Sequence, residues 1–422
     1  MLADIRMKMN KAVAAGLARP VAAGAHERQR LRVLFAVALL KLFNFIGGAW
    51  DIQWHVAIGR DSLWIPPHLM VLLAFVSGLA IVVIMIAYET GLSIAGQEMP
   101  HTARLGRLRA PGAYFGILFG YAAALLAGVI DELWHRAFGI DATLWSPPHL
   151  LIMVATVVVD YSLLLGITAS ARRLGYTFTW KSPLLWGIVL TGAYAYESVH
   201  FQMGEAFIVG HRHGGAGLYG LLFPILIGAF LPLSLVATIR LARRAWVVLL
   251  TAGLALALQY VATGIAALGF AILKPVPFID QYVLLNPQST AAQARQFAAL
   301  LGNNGLIGLH QAWTMTLAIP ALVLIALLGN LAWARRRPLL LGAVFSIATV
   351  LLTYARFEMT PALRDYPITG VDVALAALLA LAGGLLTGAL GLRLTRGAEP
   401  AEAQAEIESE RVGHGLDRPA GA

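Results

Sequence analysis

Two stretches of this sequence carry side chains whose types and order could do chemistry. Ala49–Leu69 reads AWDIQWHVAIGRDSLWIPPHL and Val129–Leu150 reads VIDELWHRAFGIDATLWSPPHL. Both contain Asp-x-x-Trp-His, then an acid, a Trp, and Pro-Pro-His-Leu. Asp51, His55 and His68 in the first copy correspond to Asp131, His135 and His149 in the second. Each set offers two imidazoles and one carboxylate, a donor set that suits copper, iron(II) or zinc. The competing reading is a pair of helix–turn–helix units with Trp54, Trp64, Trp134 and Trp145 at a membrane interface and His and Asp bonded to backbone. Duplication of the whole pattern, with ionisable residues inside apolar sequence, favours metal.

The elements that must hold these donors follow from spacing. Asp51 and His55 are four apart, so on a helix they share a face about 6 Å apart along its axis. Pro66-Pro67 marks the start of the next helix, with His68 in its first turn. A tight turn then returns His68 to the Asp51/His55 face. The same logic opposes His149 to Asp131 and His135.

Composition says where such hairpins sit. The chain has 422 residues, of which 59% are hydrophobic and 13% charged, with mean hydropathy +0.74. Apolar runs of about twenty residues recur, each long enough to cross a bilayer core. The expected fold is all-α, a polytopic membrane bundle of about ten spans. These lie near 33–57, 67–90, 110–138, 147–171, 183–206, 215–239, 245–272, 305–333, 338–357 and 370–394. Basic residues alternate between the ends of these spans. Arg28, Arg30, Arg32, Arg104, Arg107, Arg109, Arg172, Arg173, Lys181, Arg240, Arg243, Arg244, Arg335, Arg336, Arg337, Arg393 and Arg396 fall on one side. That pattern implies that both termini are cytoplasmic. It places the paired motifs toward the outer, periplasmic side of a bacterial inner membrane. Of eleven histidines, only His26, His101 and His414 fall away from that side.

The chain divides into a basic cytoplasmic segment (1–30), a four-helix unit with both motifs (31–172), six further spans (173–395) and an Ala/Glu/Gly-rich tail expected to be disordered (396–422). In the long 273–304 connection, Ser289 is placed to cap a short amphipathic helix. The chain has no cysteine, which excludes disulfides, iron–sulfur clusters, c-type haem and blue-copper centres. The net charge of +9 sits in juxtamembrane clusters, so it reads as a topology signal rather than as a nucleic-acid surface.

The fifth span adds Glu197 and His200, three apart, an arrangement used in carboxylate-bridged metal bundles. Glu205, His211 and His213 follow. They read as a third metal site or as groups supporting the first two, with Glu197 and His200 favoured for support. His310 reads as a hydrogen-bonded histidine. Lys41 lies about 21 Å below His55 and Asp160 about 16 Å below His149. Both fall near mid-bilayer, where an unpaired charge is costly, so they are expected to pair directly or through Asn44.

Over roughly 35–172 these motifs resemble the C subunit of the copper membrane monooxygenases, the family of particulate methane and ammonia monooxygenases. Asp51-x3-His55-x12-His68, with Arg60, Asp61, Trp64 and Pro66, is similar to one copper-binding pattern of that family. Asp131-x3-His135-x13-His149, with Asp141 and Pro147, is similar to a second, except that Asp131 stands where the family has Asn. The resemblance implies one or two copper ions, with iron or zinc as substitutes. It implies O2-dependent oxidation of a small apolar or nitrogenous substrate. Electrons would come from quinol or a partner subunit, within a homo- or hetero-oligomer. Two alternatives use the same ligands: a metal-binding or transport protein, and a non-catalytic subunit with structural metal.

Overall fold

The computed structural model describes residues 23–59, 62–138, 143–302 and 307–396. Most of the 1–30 segment, Arg60, Asp61, Asp141 and the 397–422 tail therefore lie outside the described residues.

The chain is an integral membrane helical bundle. Nine helices among the described residues are long and apolar enough to cross a bilayer. The first two hairpins are α1 (Ala23–Ala57) with α2 (Pro66–Ile94), and α3 (Gly112–Phe138) with α4 (Pro147–Arg173). A short antiparallel ribbon, β1 (Ala103–Leu105) and β2 (Leu108–Ala110), joins them at the end opposite the motifs. The second half comprises α5 (Pro183–Arg212), α6 (Gly217–Gly220), α7 (Leu222–Phe230), α8 (Pro232–Ala242) and α9 (Val247–Leu273). It continues with α10 (Ile279–Leu285), α11 (Thr290–Leu300), α12 (Ile307–Leu328), α13 (Ala332–Arg335), α14 (Pro338–Glu358) and α15 (Gly370–Thr395). The span expected at 215–239 is α7 and α8 in sequence, interrupted where Pro232 lacks an amide hydrogen to donate.

The span expected at 183–206 is a helix, but not among the nine apolar ones. Almost every residue of α5 from Leu184 to Gly210 is buried, including Thr191, Glu197, Ser198, His200, Gln202 and Glu205. Packed by α4, α7, α8, α9 and α12, it is shielded from lipid by protein. A helix in that position can carry polar side chains that a lipid-facing helix cannot. The outer helices show the complement: Leu73, Val76, Ile84, Leu126, Val129 and Leu386 are exposed apolar side chains that meet acyl chains.

Two large cores flank α5. One joins α1 to α5 with α9, through Val37, Val82, Ile117, Leu163, Ile167 and Ile188. The other joins α5 to α7, α8, α12 and α14, through Tyr196, Phe223, Leu235, Ala318 and Phe345. Close helix approach depends on small residues. A β-carbon on Gly78 of α2 would come within 2.4 Å of the Tyr121 ring on α3, so glycine there lets these two helices touch toward the ribbon end.

Candidate metal centre

The two hairpin turns are built alike. In each, the residue before the Pro-Pro pair is extended, Ile65 at φ −67°, ψ 148° and Ser146 at φ −67°, ψ 152°. Each turn is held by a hydroxyl accepting from the backbone amide of the following Trp, Ser62 to Trp64 and Thr143 to Trp145, both at 3.2 Å. Each motif histidine then bonds back six residues: His68 Nδ1 to Ser62 O at 3.0 Å and His149 Nδ1 to Thr143 O at 2.8 Å. A carbonyl only accepts, so each Nδ1 carries a hydrogen, and in the neutral ring each Nε2 presents its lone pair.

Those lone pairs face carboxylate oxygens. His68 Nε2 lies 3.1 Å from Asp51 Oδ1, and His149 Nε2 lies 3.5 Å from Asp131 Oδ1. On the helix side, His55 Nε2 is 3.6 Å from Asp51 Oδ2 and His135 Nε2 is 3.4 Å from Asp131 Oδ2. Among the described residues, Asp51–His55–His68 and Asp131–His135–His149 each bring one donor atom per residue within 4.8 Å of the others. Asp51 Oδ1 and Asp131 Oδ1 are buried and receive no hydrogen bond from the described residues. An acceptor facing an acceptor in a buried site calls for positive charge between them, a metal ion or a proton. The donors fit a metal ion, and the carbonyl on the far ring nitrogen is the usual partner of a metal-bound histidine. The triads also abut: the His55 and His135 rings lie 5.4 Å apart, and His55 and His149 6.4 Å.

Support for the two turns is unequal. Thr143 donates to Glu205 Oε1 at 2.9 Å, Trp145 Nε1 donates to Gln202 O at 2.9 Å, and the Gln202 side-chain amide donates to Leu144 O. The second turn is thereby tied to α5, whereas Trp64 of the first turn is 73% exposed. Gln202 escaped the sequence reading, although Ser198, Gln202 and Glu205 form a polar i, i+4, i+7 stripe along a helix.

Arg295 on α11 clamps the end of α1. Its Nε donates to Val56 O at 2.8 Å, Nη2 to Ala57 O at 3.1 Å, and Nη1 to Asp280 at 2.8 Å. Ser289 caps α11 by accepting from the Ala292 amide at 3.3 Å.

Beneath the triads a chamber of about 850 Å³ opens, reached by Asp51, His68, Asp131 and His149 from above. Val71, Leu72 and Phe75 of α2 and Leu125, Gly128, Val129 and Leu133 of α3 form an apolar wall. Its floor is polar: Lys41, Asn44, Glu197 and Ser198. Lys41 Nζ lies 3.0 Å from Asp160 Oδ1 and donates to Asn44 Oδ1 at 3.1 Å, while Ser198 donates to Asp160 Oδ2 at 2.7 Å.

The remaining candidates go elsewhere. Glu197 and His200 do not act together: Glu197 faces the chamber, while His200 lies toward α12, its Nε2 3.4 Å from Thr314 Oγ1. Three residues on a helix leave a residual 60° turn, and here that turn separates them. The hydrogen bonds that support the second turn come from Gln202 and Glu205 instead. His211 Nδ1 pairs with Tyr366 Oη at 2.9 Å; burial pushes that phenol up to about 12, so it stays neutral. His213 stacks on Tyr219 at 4.1 Å and its Nδ1 donates to Val209 O. No third metal-ligand group forms among the described residues. His310 is buried against Phe297, and its ring nitrogens have no hydrogen-bond partner among the described residues, contrary to the expected hydrogen-bonded histidine.

Compared with protein-family models, curated proteins and solved structures, the chain matches none of them.

Proposed function

We propose that the protein is an integral-membrane metalloenzyme that oxidises a substrate drawn from the bilayer. Two ions, copper by preference with iron as the substitute, would be held by Asp51, His55 and His68 and by Asp131, His135 and His149. The observation that carries this reading is the pair of imidazole Nε2 atoms turned onto buried carboxylate oxygens, at 3.1 and 3.5 Å. The bound metal would supply O2 activation, as the resemblance to copper membrane monooxygenases implies. The chain's residues do the rest. Ser62 and Thr143 carbonyls fix the His68 and His149 tautomers, and Glu205 and Gln202 hold the second turn in place. The apolar wall excludes water beneath the site, and the lipid-facing side of the chamber admits substrate. Electrons would come from quinol or a partner subunit. The basic clusters at the ribbon end support a cytoplasmic position for that end and a periplasmic one for the triads.

The test is metal analysis of the purified protein beside O2 consumption, for wild type, His68→Ala, His149→Ala and the double variant His68→Ala/His149→Ala. The enzyme reading expects metal and O2 consumption to fall together. A protein that holds metal and takes up ions without consuming O2 would be a transporter. Metal retained in the double variant would remove the site altogether.

Transport draws support from the polar floor of the chamber. Against it, polar lining ends at Lys41, Asn44, Glu197 and Ser198. Beneath lie packed apolar side chains such as Val37, Ile117, Leu163 and Ile188.

A further inference from the structure

Glu197 sits in the chamber with no assigned task. Its side chain is nine-tenths buried, lines the cavity and makes no hydrogen bond to a described residue. Other charged groups around the chamber are matched. Lys41 pairs with Asp160 at 3.0 Å, and Glu132 pairs with Arg136 at the rim at 2.7 Å. Asp51 and Asp131 belong to the triads. Glu197 is a chamber-facing carboxyl that makes no ion pair among the described residues, and its charged form is costly there until a cation reaches it.

Size and access narrow the partner. A chamber of about 850 Å³ is in the range that takes a drug-sized molecule, far more room than a one-carbon or diatomic molecule fills. Lys41 lies ten residues before Asp51 on α1, so the floor is about 15 Å below the triads. Val129 and Leu133 of α3 line the chamber and are 60% and 58% exposed, so the chamber is open along α3.

We propose that the chamber floor is a binding subsite for the basic nitrogen of a bilayer-borne amine, with Glu197 as its counter-ion and Asn44 as a neighbouring polar contact. The apolar remainder of the molecule fills the space up to Asp51 and Asp131. As a statement about substrate, this rests on the enzymatic reading above; as a binding site, it rests on the chamber alone.

The experiment uses the metal-free full-length chain in phosphatidylcholine nanodiscs, with radiolabelled dodecylamine and dodecanol as probes. Wild type should bind dodecylamine saturably, one per chain. Glu197→Gln should weaken that binding by about tenfold or more, the loss expected for a charge-assisted hydrogen bond. Its dodecanol binding should be unchanged, and Glu197→Asp should restore the preference for the amine. Gly128→Phe should block both probes, since Gly128 lines the chamber and a β-carbon there meets open space. Equal amine affinity in wild type and Glu197→Gln, or tighter binding of dodecanol than of dodecylamine by wild type, overturns the proposal. Amine binding in a protein that proves to hold no metal would leave the subsite standing and remove only its role in oxidation.

Discussion

The imidazole rings of His55 and His135 lie face to face, 5.4 Å between centroids and 13° from parallel. They come from different hairpins, so this contact makes the two triads neighbours. His55 is 1% exposed and His135 partly buried, which leaves little space between the sites for water. Two ions held so near each other sense one another's charge. Occupancy of one triad should therefore weaken binding at the other, and stepwise titration with copper should give two unequal affinities. Asp51→Asn and Asp131→Asn should each remove one ion per chain and make the remaining step single, as read by elemental analysis and spectroscopic titration.

The turn that carries the second triad is hydrogen-bonded to α5. Thr143 reaches Glu205, and its carbonyl holds His149 Nδ1. Thr143→Val or Glu205→Ala should lower metal affinity at the second triad by about 10–100-fold, the usual loss when a ligand's hydrogen-bond support is removed. The counterpart Ser62→Ala should change first-triad affinity far less. Its hydroxyl holds only the exposed turn at Trp64 in the described structure, and the His68 bond is to the Ser62 carbonyl, which Ala retains. Equal effects at both positions would argue that the two turns are supported alike.

Lys41 and Asp160 are both buried, 3.0 Å apart. Lys41→Met should destabilise the protein by about 3–5 kcal/mol, because Asp160 then stays behind as an unpaired buried charge. The double substitution Lys41→Met/Asp160→Leu should recover most of that loss, since removing both charges removes both desolvation penalties. Thermal unfolding in detergent, followed by circular dichroism, compares the three proteins. Unchanged stability in the single variant would mean that the pair does not persist in solution.

Arg295 spends three guanidinium nitrogens on Val56 O, Ala57 O and Asp280. Arg295→Ala should free the last turn of α1 and raise amide exchange over residues 54–58, at a cost of about 1–3 kcal/mol for the lost charge-assisted bonds. Arg295→Lys should recover only part of it, because an ammonium lacks the planar fork that spans two carbonyls and a carboxylate. Hydrogen–deuterium exchange read by mass spectrometry distinguishes these outcomes.

Much of this architecture is legible in the amino-acid sequence. Repetition of Asp-x-x-Trp-His and Pro-Pro-His defines both hairpins, because helical spacing and the preference of proline for a helix start are local rules. Hydropathy gives the membrane class and all nine apolar spans among the described residues, together with a tenth at 183–206 that is the buried helix α5. Ser289 caps its helix through contacts a few residues away. Tertiary structure decided what local rules leave open, which is the rotation of each helix about its axis. That rotation turns Glu197 into the chamber and His200 toward α12, although the two are only three residues apart. It brings Gln202 and Glu205 to the second turn, and it stacks His55 on His135 across two hairpins. The chamber itself belongs to no segment. It exists because α2 and α3, in contact at Gly78 and Tyr121, leave a gap beneath the triads. Spacing along one helix fixes which side chains share a face; packing of all the neighbouring helices together fixes what that face meets.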